Sequence, residues 1–205
     1  MPNGVPDELA SFTPCVVAMV YKGLKRAGLT YGETVVVTGA SGGVGIHAVQ
    51  LARALGARVI AITRSPDKAR FISQFADEVI TEQRFSKVVK DLTNNVGADV
   101  VIEAVGTPTL EESLRSLRSG GRVIIIGNVN PDEIYQLRLG YLIMKDIIMI
   151  GNVRSNRSDV VETFKLLSRG LVKPIIAATY SLDRFGDALE FMRNNSRIGK
   201  ILIKP

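Results

Sequence analysis

Short β-branched runs alternate along the chain with longer stretches whose apolar positions recur every three or four residues. The runs fall at 33–38 (ETVVVT), 58–63 (RVIAIT), 78–81 (EVIT), 99–103 (DVVIE), 122–127 (RVIIIG) and 146–151 (DIIMIG). Their interiors are almost entirely Val, Ile and Met, and strands apolar on both faces must be buried on both faces. Between them, 44–55 places Val44, Ala48, Leu51, Ala52 and Leu55 on one helical stripe, with Gly56 where a left-handed residue closes a helix. Ser65-Pro66 sets a cap before a proline at the first helical position, opening the next helix. Residues 107–117, 132–145 and 158–169 read as three more helices. Strands joined by crossover helices predict an α/β fold, a doubly wound six-stranded parallel sheet.

Two flanks lie outside this unit. Residues 7–27 read as one helix stopped by Gly28. The tail reads strand (174–180), helix (182–193), strand (199–205). The expected organisation is a joining helix in 1–31, a nucleotide-binding sheet in 32–172 and a C-terminal segment in 173–205. There is no internal repeat, low-complexity segment or linker.

The chain has 205 residues, 46% hydrophobic and 22% charged, enough for a core without metal or disulfide staples. A single Cys and no secretory leader lead to the expectation of a reducing, cytoplasmic setting. The most apolar stretch, 139–153, is broken by Lys145 and Asp146, which excludes a membrane span. Lys and Arg number 26 against 20 Asp and Glu, a net charge of +6. These cations are scattered singly or in pairs among acids, which favours a site for a small phosphorylated ligand over nucleic acid.

The candidate chemistry begins at Thr38-Gly39-Ala40-Ser41-Gly42-Gly43-Val44-Gly45, between a buried strand and a helix. A dinucleotide site needs a tight turn, a side-chain-free approach for the diphosphate, and close packing of helix on strand. Ala40, Gly42 and Gly45 are assigned those three roles, and the helix N-terminus offers N–H groups and partial positive charge to the phosphates. This completes the expectation of a Rossmann-type domain. An NAD site typically places Asp or Glu at the end of the second strand. That strand here ends in Thr63-Arg64-Ser65, with Lys68 one turn on and the first acid, Asp67, inside the next helix. A guanidinium and a hydroxyl suit a 2′-phosphate, so NADP is expected rather than NAD. The fourth and fifth strands end in Ala104-Val105-Gly106 and Gly127-Asn128-Val129, small residues expected beside the adenosine and nicotinamide halves. Asn152 is expected at the nicotinamide end.

A competing pattern overlaps this loop. Thr38-Gly39-x-x-x-Gly43-x-Gly45 also matches short-chain dehydrogenases, and Tyr141 and Lys145 have the Y-x-x-x-K spacing those enzymes use. The Asn-Ala-Gly segment and the Ser-bearing strand that complete that site are absent from the sequence.

The chain resembles the medium-chain dehydrogenase/reductase superfamily in its zinc-type alcohol dehydrogenase and quinone or enoyl reductase branches, with acryloyl-CoA-reductase-like members closest. The resemblance is carried by Cys15-V-V-A-M-V-Tyr21-K-G-L, Gly32-E-T-V-V-V-T-Gly39-A-S-Gly42-Gly43-V-Gly45, Ala48-V-Q-L-A-R-A-L-Gly56-A, Asp99-V-V-I-E-A-V-Gly106, Gly120-Gly121-R-V-I-I-I-Gly127 and Gly199-Lys200-I-L-I. It implies an oxidoreductase that moves hydride between NADPH and a carbonyl or conjugated alkene, acting on a small-molecule substrate as a homodimer or homotetramer. It also implies that Cys15 falls where the zinc-type enzymes place a catalytic-zinc ligand; the alternative is a small buried thiol. With one His and one Cys the sequence cannot complete the usual zinc site. The family's usual Thr is Met19 here, its N-terminal catalytic domain has no counterpart, and His47 matches no family ligand and is expected to be exposed. A non-catalytic dinucleotide-binding module therefore stands as the alternative function. For the oligomer, 122–127 and 146–151 are the apolar strands expected to pair across an interface.

Overall fold

The computed structural model describes residues 4–128, 130, 132–193 and 197–205. Its sheet is built from β1 (Thr34–Val37), β2 (Arg58–Ile62), β3 (Glu78–Ile80), β4 (Ala98–Glu103), β5 (Leu117–Ile125) and β6 (Ile148–Gly151). All neighbours are parallel, in the order β3-β2-β1-β4-β5-β6. The order reverses between β1 and β4, the point at which a doubly wound sheet opens its ligand crevice.

Successive β1 residues point to opposite faces. Val35 and Val37 pack into one apolar cluster and Val36 into another. The first face is covered by α1 (Asp7–Phe12), α2 (Val17–Arg26), α3 (Gly45–Ala54) and α8 (Arg157–Leu167). The second is covered by α5 (Phe85–Leu92), α6 (Thr107–Ser116) and α7 (Leu139–Lys145). Next to β3 lies α4 (Pro66–Ile72). A parallel pair, β7 (Ile176–Ser181) and β8 (Lys200–Lys204), carries α9 (Phe185–Arg193) between its strands.

Several sequence expectations need correction. The helix expected over 7–27 is two helices, because Pro14 lacks the N–H an uninterrupted helix needs and its ring crowds the preceding turn. The helix expected over 132–145 begins only at Leu139. Ahead of it, Ile134 stands in solvent while the Tyr135 hydroxyl donates to Glu111 at 2.6 Å, so this stretch presents no single apolar face. Ser65 occupies the N-cap position of α4 but its side chain makes no cap bond. Helix α5 was not foreseen. Strand β6 is not buried on both faces: it is the sheet edge, and Ile148 is 53% exposed. Strand β5 pairs on both sides, so it offers no edge and of the two expected interface strands only β6 is available.

Candidate cofactor site

The glycine loop links β1 to α3 over the carboxyl end of the sheet. Gly39 takes φ +58°, so the tight turn falls at Gly39 and not at Ala40, which is fully buried. The Gly42 N–H donates to the Gly39 carbonyl at 2.9 Å, and the Ala40 N–H ties the loop to Ile62 O of β2 at 3.0 Å. A Cβ on Gly45 would stand 2.2 Å from Gly39 O, so the start of α3 approaches the loop as only glycine allows.

Beside this loop opens a cleft of about 830 Å³. It brings together seven of the sequence-predicted residues: Gly39, Ser41, Thr63, Arg64, Ser65, Lys68 and Val105. Thr63 is buried and its hydroxyl accepts from the Ser65 N–H at 3.4 Å, which shapes the turn after β2. Burial, and then the charge of Arg197, hold the Lys68 ammonium below its ordinary pKa. Sequence reasoning missed the wall made by Glu82, Gln83, Arg84 and Phe85, together with Pro108 and Thr109 of α6. Its signal was the end of the third strand at Thr81, since crevice residues follow strand carboxyl ends.

The floor is organised by Glu103, which sequence reasoning also missed. Its side chain is fully buried, and Oε1 accepts from Thr38 Oγ1 (2.7 Å), Thr109 Oγ1 (2.7 Å), Val105 N–H (2.9 Å) and Gly106 N–H (2.9 Å). Oε2 accepts from Ser113 Oγ at 2.5 Å. A buried carboxylate satisfied by neutral donors stays compatible with its surroundings, and here it fastens the turn after β1 to the turn after β4. Ala104 and Gly127 pack backbone to backbone, and Asn128 abuts Gly106. Val129 lies outside the described residues.

Other expectations do not converge on the cleft. Gly42 and Gly43 lie against Gly199 and Lys200 of the tail, and Val44 packs on the apolar cluster of the first sheet face. Asn152 is buried with its side chain turned to α2, where Nδ2 donates to Met19 O at 2.8 Å. Cys15 is exposed in the turn between α1 and α2, not a buried thiol. His47, expected at the surface, is fully buried, because α3 is covered along nearly its whole circumference. Burial first, and then the charge of Lys200, push its pKa down to about 4 although the Gly43 carbonyl favours the charged form.

Tyr141 and Lys145 do not line the cleft. Lys145 Nζ donates to Leu117 O at 2.6 Å, at the amino end of β5 and so opposite the crevice. Burial raises the Tyr141 phenol above its ordinary pKa, the reverse of what the short-chain chemistry requires.

A family model for zinc-binding dehydrogenases matches residues 43–169, and the chain belongs to that family. It is 48% identical to an acryloyl-coenzyme A reductase of Sulfurisphaera tokodaii, across 100% of this chain and 61% of that protein. It is likewise 48% identical to the acryloyl-coenzyme A reductase of Metallosphaera sedula, across 99% of this chain and 60% of that one. The crystal structure of AibC matches the whole chain with a TM-score of 0.88 at 33% identity, covering 61% of its own length. The chain thus spans about three fifths of the length of these relatives. Among the described residues no helix is long and apolar enough to cross a membrane.

Proposed function

We propose that this chain is the NADP(H)-binding part of an oxidoreductase that transfers hydride between nicotinamide and a conjugated alkene or carbonyl. The observation that carries the reading is the end of β2: Arg64, Ser65 and Lys68 line the cleft where an NAD site places an acid. A dinucleotide fits the residues present. The cleft is roomy, the loop approaches α3 without side chains at Gly45, and the cations stand beside it.

When bound, the dinucleotide supplies or accepts the hydride. The chain's part is to position it. The N-terminus of α3 would offer the diphosphate backbone amides and partial positive charge. Arg64 and Lys68 would hold a 2′-phosphate through charge-assisted bonds, and the Ser65 hydroxyl would add a further donor. Ala104, Gly106 and Gly127 let the ends of β4 and β5 pack closely without large side chains, on the side assigned to the ribose and nicotinamide. Because two relatives that share 48% identity with this chain are named acryloyl-coenzyme A reductases, the favoured substrate class for the whole protein is a conjugated enoyl thioester.

Zinc does not fit the described residues: no three His, Cys, Asp or Glu side chains among them converge as a metal site needs. Cys15 supplies one ligand at most. A homodimer joined through the exposed edge of β6 completes the reading.

The test is NADPH consumption by the full-length protein offered enoyl thioesters, quinones and aldehydes. Turnover with a thioester is the expected result. NADPH binding without turnover on any of them would establish the alternative, a binding module, and remove the hydride-transfer assignment.

A further inference from the structure

Residues 173–175 and 199–200 lie against the far side of the phosphate loop; two side chains of α3 fasten the first segment, and the Lys200 N–H donates to Ile175 O at 2.9 Å to join the second to it. His47 Nδ1 stands 2.8 Å from the carbonyl oxygen of Gly43, and its Nε2 stands 3.1 Å from the backbone nitrogen of Ile175. A carbonyl only accepts and an amide N–H only donates. The ring is therefore neutral, with its proton on Nδ1 and its lone pair on Nε2. One turn on, Gln50 Oε1 accepts from the Lys173 N–H at 2.8 Å, and Nε2 donates to Lys173 O at 3.1 Å. From the tail, the Gly199 N–H donates to Ser41 O at 3.1 Å. The Lys200 side chain crosses Gly43 so closely that a Cβ there would meet its Cδ at 2.4 Å. Phe12 of α1 closes the pocket, its ring centroid 4.8 Å from that of His47.

One imidazole thus holds a loop peptide on one side and the tail on the other. A trans peptide keeps its C=O and N–H antiparallel, so a bond that fixes the Gly43 carbonyl also fixes the direction of the Val44 N–H at the start of α3. That N–H belongs to the set a helix N-terminus offers to an anion.

We infer that His47 is a positioning residue for dinucleotide binding, locking the Gly43 peptide to Ile175 and so making residues 173–175 and 199–200 a working part of the phosphate site. The inference rests on the cofactor reading above. It predicts that affinity depends on a buried side chain that never touches the ligand.

The test compares NADPH dissociation constants and amide hydrogen exchange in the wild-type chain and in His47→Leu, His47→Gln and Gln50→Met. His47→Leu removes both bonds. It should raise the NADPH dissociation constant about tenfold, the equivalent of one to two lost hydrogen bonds, and speed exchange at Ile175. His47→Gln, whose amide oxygen reaches toward the Nε2 position, should restore protection at Ile175 and part of the affinity. Gln50→Met loosens the neighbouring anchor and should weaken binding in the same direction, which keeps the test open if His47→Leu does not fold. A folded His47→Leu or Gln50→Met variant with wild-type affinity would overturn the inference, since a purely structural residue lowers the melting temperature without moving the dissociation constant. A wild-type chain that binds no dinucleotide would overturn the cofactor reading itself, and the positioning role with it.

Discussion

The Thr38 hydroxyl donates to the Glu103 carboxylate at 2.7 Å, joining the end of β1 to the end of β4 beneath the glycine loop. The same hydroxyl accepts from the Ala104 N–H at 2.9 Å. Thr38 therefore passes the register of one strand end to the other, at the point where the sheet order reverses.

Removing that carboxylate strands its donors in the interior. Glu103→Ala should cost about 3 kcal/mol or more of unfolding free energy, the range for buried groups left without an acceptor. Glu103→Gln keeps one acceptor oxygen but turns an NH₂ toward a former donor, and should cost about half as much. Urea denaturation of both variants checks the order.

Gly42 and Gly45 should respond unequally to one added methyl. At Gly45 a Cβ would collide with loop backbone at 2.2 Å, whereas at Gly42 the nearest heavy atom is Gly39 O at 3.3 Å. Gly45→Ala should lower the melting temperature by several degrees, as a loss of about 1–3 kcal/mol implies. Gly42→Ala should keep most of the stability. Thermal unfolding of the pair decides.

Acid should destabilise the chain before its carboxylates titrate. An unfolded His binds a proton below pH about 6.5, while folded His47 refuses one until about pH 4. Its contribution is fully present above pH 6.5 and is lost as pH falls from there toward 4, about 3 kcal/mol in all. Urea midpoints measured across this window should fall with pH in the wild type, and His47→Leu should flatten that slope.

The edge strand should govern association. Ile148 of β6 is half exposed, and Val153 just beyond it is 75% exposed. Ile148→Lys places a charge on an apolar edge, a device that blocks strand pairing. Light scattering should show the wild type as an oligomer and the variant shifted toward monomer; identical masses would refute the edge as the interface.

The sheet was legible because its strands are apolar on both faces, and the glycine loop because it stands between a buried strand and a helix. Helix α5 carries Phe85, Val88, Val89 and Leu92 at helical spacing, but it is only 8 residues long and Arg84 at its N-cap makes no side-chain cap bond, so no start signal marks it. His47 and Glu103 were hidden for a different reason. Each is a polar residue inside an apolar element, and its burial depends on partners far along the chain: Ile175 for His47, Thr38 for Glu103. Periodicity shows which face of an element is apolar. It does not show that a tail from the end of the chain will cover the polar remainder.

The central claim is tested most directly by titrating the wild-type chain and Arg64→Ala with NADPH and NADH side by side. The wild type should bind NADPH at least about tenfold more tightly. Loss of a charge-assisted contact, worth about 1.5–3 kcal/mol, should raise the NADPH dissociation constant of Arg64→Ala by about ten- to a hundredfold and leave NADH nearly unmoved. Equal wild-type affinities, or equal weakening of both dinucleotides by the substitution, would contradict the account.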